Sequence, residues 1–159
     1  MRSLSVIWRA GNLLFATAVN SVIEVLPPLA WSPTPGVPPW VRGLFSHRGR
    51  LIPLVDASGL LGVPTRPDRL ANRVLIVRCD FGSDAPISTA GLWVRGVIDL
   101  ERLDFSSAGS HPGFATDSGR FLGPIVPSQW GQVQLVKPAD LFTPEQAAVL
   151  TERLKPEAA

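Results

Sequence analysis

The sequence predicts an all-β protein with one short helix at its end. Two observations carry that prediction. Some nine or ten short apolar runs, many rich in β-branched residues, recur at near-regular spacing between glycine, proline and polar turns, and only the last stretch carries strong helix signals. Short strands at this spacing, with so little helix between them, are the pattern of barrels or sandwiches and not of alternating β and α units. The 159 residues are 45% hydrophobic and 18% charged, which suits one packed domain, 1–159, able to bury roughly 70% of its unfolded surface.

The first apolar stretch, SLSVIWRAGNLLFATAV, is two runs split by Gly11 and Asn12. Both residues tolerate the positive φ of a tight turn, so residues 4–9 and 13–18 read as a hairpin. In NSVIEVLPP, Asn20 or Ser21 caps one helical turn before Val25 and Leu26 resume an extended path. Six prolines follow, Pro27, Pro28, Pro33, Pro35, Pro38 and Pro39, and they remove backbone donors and fix φ. The expectation is a stiff surface loop pinned at its flanks by Trp31 and Trp40.

Residues 41–56, VRGLFSHRGRLIPLVD, set arginines, a histidine and two glycines against an apolar run. In SHRGR, Gly49 opens a backbone conformation closed to most residues, so Arg48 is held beside a tight turn between two strands. Arg42 and Arg50 read as ordinary solvated charges. DASGLLG then offers Asp56 or Ser58 as a helix cap and Gly62 as a stop. NRVLIVRC and AGLWVRGVIDL are the next strands, and residues 104–120, rich in Ser and Gly, form a long loop. FLGPIVP and GQVQLVK pair around SQWG. Thr143, Pro144, Glu145 and Gln146 make a capping box that opens a helix over about 144–154, with Ala147, Leu150 and Leu154 on one face.

Charge and composition narrow the function classes. Fifteen Lys and Arg against thirteen Asp and Glu leave a net +2, too weak for a dedicated nucleic-acid binder, although five tryptophans would suit base stacking. Trp8 and Trp93 lie within strand runs, where packing is the common role. The single Cys79 ends a strand and reads as a small buried hydrophobe, with no internal disulfide available to it. His47 and His111 stand in separate loops with no second ligand at metal spacing, so no metal site or cofactor is expected. Glycine-rich phosphate loops are absent, and Asp56, Asp99 and Asp104 are scattered near strand ends. The N-terminus lacks a signal-peptide core, and no apolar run approaches the roughly 20 residues of a membrane span. A cytoplasmic, soluble protein is expected.

Taken together, VNSVIEVL, PPWVRGLFSHRGRLIPLVDASGLLGV, NRVLIVRC, AGLWVRGVIDLERL and GPIVPSQWGQVQLVKPADLF resemble, in order and spacing, the CheW-like domain over about residues 4–143. The middle block, with Gly43, Arg48, Gly49, Pro53 and Asp56, is its most specific part. Ser46 and His47 replace the usual Asn-Leu, Arg95 stands where the family has Asp, and Lys137 where an acid is common. The chain therefore looks like a diverged paralogue.

The resemblance implies two intertwined five-stranded SH3-like β-barrels and a non-enzymatic scaffold. Its partners would be the cytoplasmic tip of a chemoreceptor and the regulatory domain of a CheA-type histidine kinase, with membrane contact only indirectly, through receptor arrays. Receptor contact falls on Arg48, with Gly43, Gly49, Val22, Glu24 and Val74 at or near the groove. Kinase contact falls on Val97 and Leu100. Each also has a structural reading: turn geometry for the glycines, core packing for Val22 and Val74, and an ion pair for Glu24. Two other functions stay open, a kinase-binding decoy that no longer binds receptor, and a small hydrolase using His111.

Overall fold

The structure, a computed structural model, describes residues 2–64, 71–106 and 120–154. The opening hairpin is β1 (Ser3–Ala10) and β2 (Leu13–Ala18), with Gly11 at φ 57° in the turn. One 3₁₀ turn, Val19–Ser21, leads into β3 (Val22–Leu26). That turn has no side-chain cap, so the expected Asn20 or Ser21 cap is corrected: Ala18 occupies the cap position, at φ −57° and ψ 137°.

After the proline loop come β4 (Val41–His47), β5 (Arg50–Asp56) and the short helix α1 (Ala57–Leu61). Of its two candidate caps, Asp56 serves, its carboxylate accepting from the Ser58 N–H at 3.1 Å, and Gly62 ends the helix at φ 68°. Strands β6 (Arg73–Arg78), β7 (Thr89–Val94), β8 (Gly96–Leu103), β9 (Leu122–Ser128) and β10 (Gly131–Val136) follow, then α2 (Pro144–Arg153). The capping box at Thr143 and Gln146 is formed in both directions. Residues 107–119, with His111 and most of the expected 104–120 loop, lie outside the described residues.

Among the described residues, ten strands make two five-stranded sheets, in the orders β8-β1-β2-β10-β9 and β3-β6-β7-β5-β4. Each sheet contains one parallel pair, β2 with β10 and β5 with β7, among antiparallel neighbours. The chain begins in the first sheet, builds all of the second, and returns, so the two units are intertwined. AGLWVRGVIDL, expected as one strand, is in fact split at Arg95: β7 pairs with β6 in the second sheet, β8 with β1 in the first. At the break the Arg95 N–H turns away to the Arg9 carbonyl at 2.8 Å. The run stays apolar through the break, from Leu92, Trp93 and Val94 to Val97 and Ile98, which hides the crossover from any reading of periodicity.

Core residues divide by face. Val6, Trp8 and Phe15 join Leu54, Leu75 and Leu92 of the second sheet and Leu141, Phe142, Ala147 and Leu150 of the C-terminal segment in one shared core. Ile7 and Ala16, which alternate with them, enter a smaller core with Leu103, Val126 and Val133 inside the first sheet. Trp31 and Trp40 do pin the proline loop, packing against the shared core, with Trp40 stacked on Phe142 at 5.4 Å.

A polar relay runs through this apolar interior. The Trp8 indole N–H donates to Thr17 Oγ1 at 3.0 Å, and the Thr17 hydroxyl donates to the Val136 carbonyl at 3.3 Å. Both side chains are fully buried. Thr17→Val keeps the shape and strands the indole N–H, so it should destabilise the fold by about 1–3 kcal/mol in denaturant unfolding, with the slope unchanged.

Candidate partner-binding site

The β4–β5 hairpin is closed by two residues, Arg48 and Gly49, between the paired His47 and Arg50. Arg48 lies at φ 52° and Gly49 at φ 80°, the positive pair that a type I′ turn demands. Arg48 is the only described non-glycine residue at positive φ, a conformation that costs an L-residue about 1–2 kcal/mol. Asn or Gly would sit there more easily. The sequence reading assigned the unusual geometry to Gly49; the structure puts Arg48 in it as well.

The turn reaches across the second sheet to the opposite edge. Arg48 Nη2 donates to Glu24 Oε1 at 3.0 Å, and His47 Nε2 lies 3.3 Å from the same oxygen. Glu24 stands on edge strand β3, beyond a bulge between Val22 and Glu24. Edge strands β3 and β4 share no backbone ladder, so these side chains close the sheet into a barrel. The Arg48 side chain is 72% exposed even so, against 30% for Glu24 and 14% for His47. The hydrogen bond to His47 holds the Glu24 carboxyl below its ordinary value; partial desolvation opposes this, and the charge of Arg48 adds to it.

The other residues of the motif block act inside the fold. A Cβ on Gly43 would overlap the Ser32 carbonyl, because the proline loop returns to β4 there through paired Ser32–Leu44 hydrogen bonds, both 2.9 Å. Asp56 caps α1 and lies 3.7 Å from Arg42. Arg42 is not the solvated charge expected: its guanidinium packs 4.4 Å from the Trp93 ring centre and 5.8 Å from that of Trp31, with the side chain only 15% exposed. Arg50 stays exposed and donates to the Pro86 carbonyl at 2.8 Å. Val74 is fully buried and Val22 half-buried against the core, so Val74 reaches a partner only through the packing of its sheet. Burial pushes the Cys79 thiol well above its ordinary range, as fits a packing residue.

The first sheet is closed by the same device, which sequence reasoning missed. Asp99 on edge strand β8 accepts from Trp130 Nε1 at 3.1 Å and Gln129 Nε2 at 2.6 Å, both in the β9–β10 turn. Glu101 accepts the Gln129 N–H at 3.2 Å. The Trp130 bond first, then the Leu100 N–H and, after an opposing desolvation, the Gln129 amide hold the Asp99 carboxyl below its ordinary value. Nothing in the spacing of residues 31 positions apart signals the contact. Next to this clasp Leu100 is 55% exposed, and Val97, on the same strand, is 36% exposed. The described structure thus brings Glu24, His47 and Arg48 together, leaves Gly43 under the returning proline loop and Val74 in the core, and sets Val97 and Leu100 apart on the other sheet. Among the described residues, no three His, Cys, Asp or Glu side chains are grouped to share a metal ion, and no helix is long and apolar enough to cross a membrane.

Comparison with known proteins fits this geometry. The CheW-like domain family model matches residues 5–145, and the chain belongs to that family. Protein PilI of Pseudomonas aeruginosa is 40% identical over 70 residues, which cover 44% of this chain and 39% of PilI. The chemotaxis protein CheW of Helicobacter pylori is 26% identical over 68 residues, 43% of this chain and 41% of that protein. The matched segments thus span about two fifths of these relatives. The crystal structure of the scaffolding protein TtCheW from Thermoanaerobacter tengcongensis superposes with a TM-score of 0.77 at 23% identity, covering 92% of this chain and 96% of that one, and so shares the fold.

Two outcomes follow from the local geometry. A Cβ on Gly49 meets nothing within 4 Å, so Gly49→Ala should cost only the backbone strain, about 1–2 kcal/mol, and Gly43→Ala more, because the Ser32 backbone must move; thermal melts of both variants check the order. Glu24, with its folded value below its unfolded one, contributes stability above the unfolded value and loses it as pH falls through the folded one. The gap in urea midpoint between the natural protein and Glu24→Gln should therefore close as pH drops through the acidic carboxylate range.

Proposed function

We propose that this chain is a non-enzymatic adaptor that couples a chemoreceptor to a CheA-type histidine kinase. One observation carries the reading: Arg48 accepts a strained backbone conformation at the tip of a hairpin and keeps its guanidinium largely in solvent while Glu24 holds one of its nitrogens. Strain at a displayed side chain points to a use for that side chain. A guanidinium fork held in this way suits a carboxylate on a partner helix. Membership of the CheW-like family supports the choice of partners.

In this reading the receptor tip meets Arg48, with Glu24 and Val22 at the margin and Gly43, Gly49 and Val74 shaping the support. The kinase regulatory domain meets Val97 and Leu100, whose apolar area would supply most of the affinity. The protein works in the cytoplasm, recruited to receptor arrays at the membrane, with no cofactor, no catalysis of its own and no nucleic acid among its partners.

His47 favours a second reading, a kinase-binding decoy that has lost the receptor. Its ring stands against the Glu24 oxygen that Arg48 also uses, in a position where the family pattern has a different side chain. Titration calorimetry of the full chain with each domain separates the two. Binding to both supports the coupler, kinase alone the decoy, and neither overturns both. For the coupler, Arg48→Glu should weaken receptor binding by about 2 kcal/mol, leave kinase binding unchanged, and cost folding stability only about 1 kcal/mol, the loss of the exposed pair with Glu24 and the like-charge contact that replaces it.

A further inference from the structure

The β9–β10 turn holds a tryptophan in the open. Trp130 is half exposed, yet its one polar side-chain atom is already satisfied, because Nε1 donates to Asp99 Oδ2 at 3.1 Å. What the ring offers a partner is therefore carbon, and burying it would strand no donor. The backbone beneath is tied as well. The Trp130 N–H donates to Ser128 Oγ at 3.0 Å, the Ser128 hydroxyl donates to the Gly131 carbonyl at 2.8 Å, and Gly131 takes φ 120°, which suits glycine. A ring held at its polar end and through its backbone loses little freedom when a partner covers it.

Asp99 also closes the strand edge. Its other oxygen, Oδ1, accepts the Leu100 N–H at 2.8 Å. A donor on edge strand β8 that an added strand would use is thus taken by the strand's own side chain, which disfavours pairing at this edge. A partner here meets side chains, and Leu100, beside Asp99, is 55% exposed. The charge of Asp99 is left uncompensated. The groups bonded to Asp99 and Glu101 are an indole, the Gln129 side-chain amide and backbone N–H groups, all neutral. Among the described residues neither carboxylate forms an ion pair, although Arg2 and Arg102 line a cleft with Glu101.

We propose that Trp130 anchors the kinase regulatory domain: its ring enters an apolar pocket of that domain, and a lysine or arginine at the pocket's rim meets Asp99. Tryptophan is among the residues that most often carry a large share of an interface's energy, and charge complementarity selects a partner with a cation beside its pocket. The inference rests on the adaptor reading for the identity of the partner. To that reading it adds an aromatic anchor and a charge requirement on the first sheet.

The test is titration calorimetry of the full chain with the kinase regulatory domain, with the receptor tip as control. Trp130→Ala should weaken kinase binding at least about tenfold, leave receptor binding unchanged and melt close to the natural protein. Trp130→Phe, which keeps a ring and loses the bond to Asp99, should recover part of that loss. Asp99→Asn keeps an acceptor for the indole and removes the charge, so it should flatten the dependence of kinase affinity on salt, which a purely structural role would not move. If Trp130→Ala does not fold, that salt dependence decides. Unchanged kinase affinity in folded Trp130→Ala, or unaltered salt dependence in Asp99→Asn, would overturn the proposal. So would a loss confined to receptor binding, or self-association of the natural protein that Trp130→Ala abolishes, which marks a second copy as the occupant. A natural protein that ignores the kinase domain altogether removes the adaptor reading and this inference with it, whereas kinase binding that ignores Trp130 removes only the inference.

Discussion

A buried indole sets the terms for the rest of the molecule. Trp8 fills the junction between the sheets, and its N–H has to find an acceptor in an apolar surround. Thr17 supplies one, and its own hydroxyl must then reach Val136, a residue 119 positions later in the chain. This relay joins β1, β2 and β10, and it crosses the parallel β2–β10 pairing that only a returning chain can make. The shared core, the intertwining and the position of the C-terminal segment follow from that return.

Closure is the second constraint. A five-stranded sheet has two edges whose unpaired backbone groups invite other chains. Here each sheet curls until a carboxylate on one edge strand accepts hydrogen bonds from the hairpin turn at the other: Glu24 from the Arg48 turn, Asp99 and Glu101 from the Gln129–Trp130 turn. The two clasps occupy corresponding places in sheets of the same strand pattern, yet they display different chemistry. One presents a guanidinium; the other presents an indole, 52% exposed, bound to an edge strand that also exposes Leu100. A fold that repeats its architecture in this way gains two unlike surfaces from one closing device.

Most residues of the motif block act inside the fold. Gly43 lets the Ser32 backbone close over β4, Asp56 caps α1 and faces Arg42, and Gly49 completes the turn. Each of these roles is internal. Arg48 alone among them is turned outward at positive φ, so in the proposed reading a partner would meet that one side chain while the others secure its position.

The sequence by itself determined the strands, the hairpins and the C-terminal helix, because alternation, turn glycines and the Thr143–Gln146 capping box act over a few residues. It also marked Gly49 as a tight-turn residue with Arg48 beside it, since positive φ is a local demand, while the positive φ of Arg48 itself came only from the structure. Only the tertiary structure decided that the run through Arg95 belongs to two sheets, that Arg42 lies under tryptophans, and that Asn20 and Ser21 cap nothing. Each depends on backbone or ring partners far along the chain. The clasps were equally hidden, because a contact between residues 24 and 48 or 99 and 130 exists only once the sheets have curled and packed, and nothing in the spacing of those residues records the curvature.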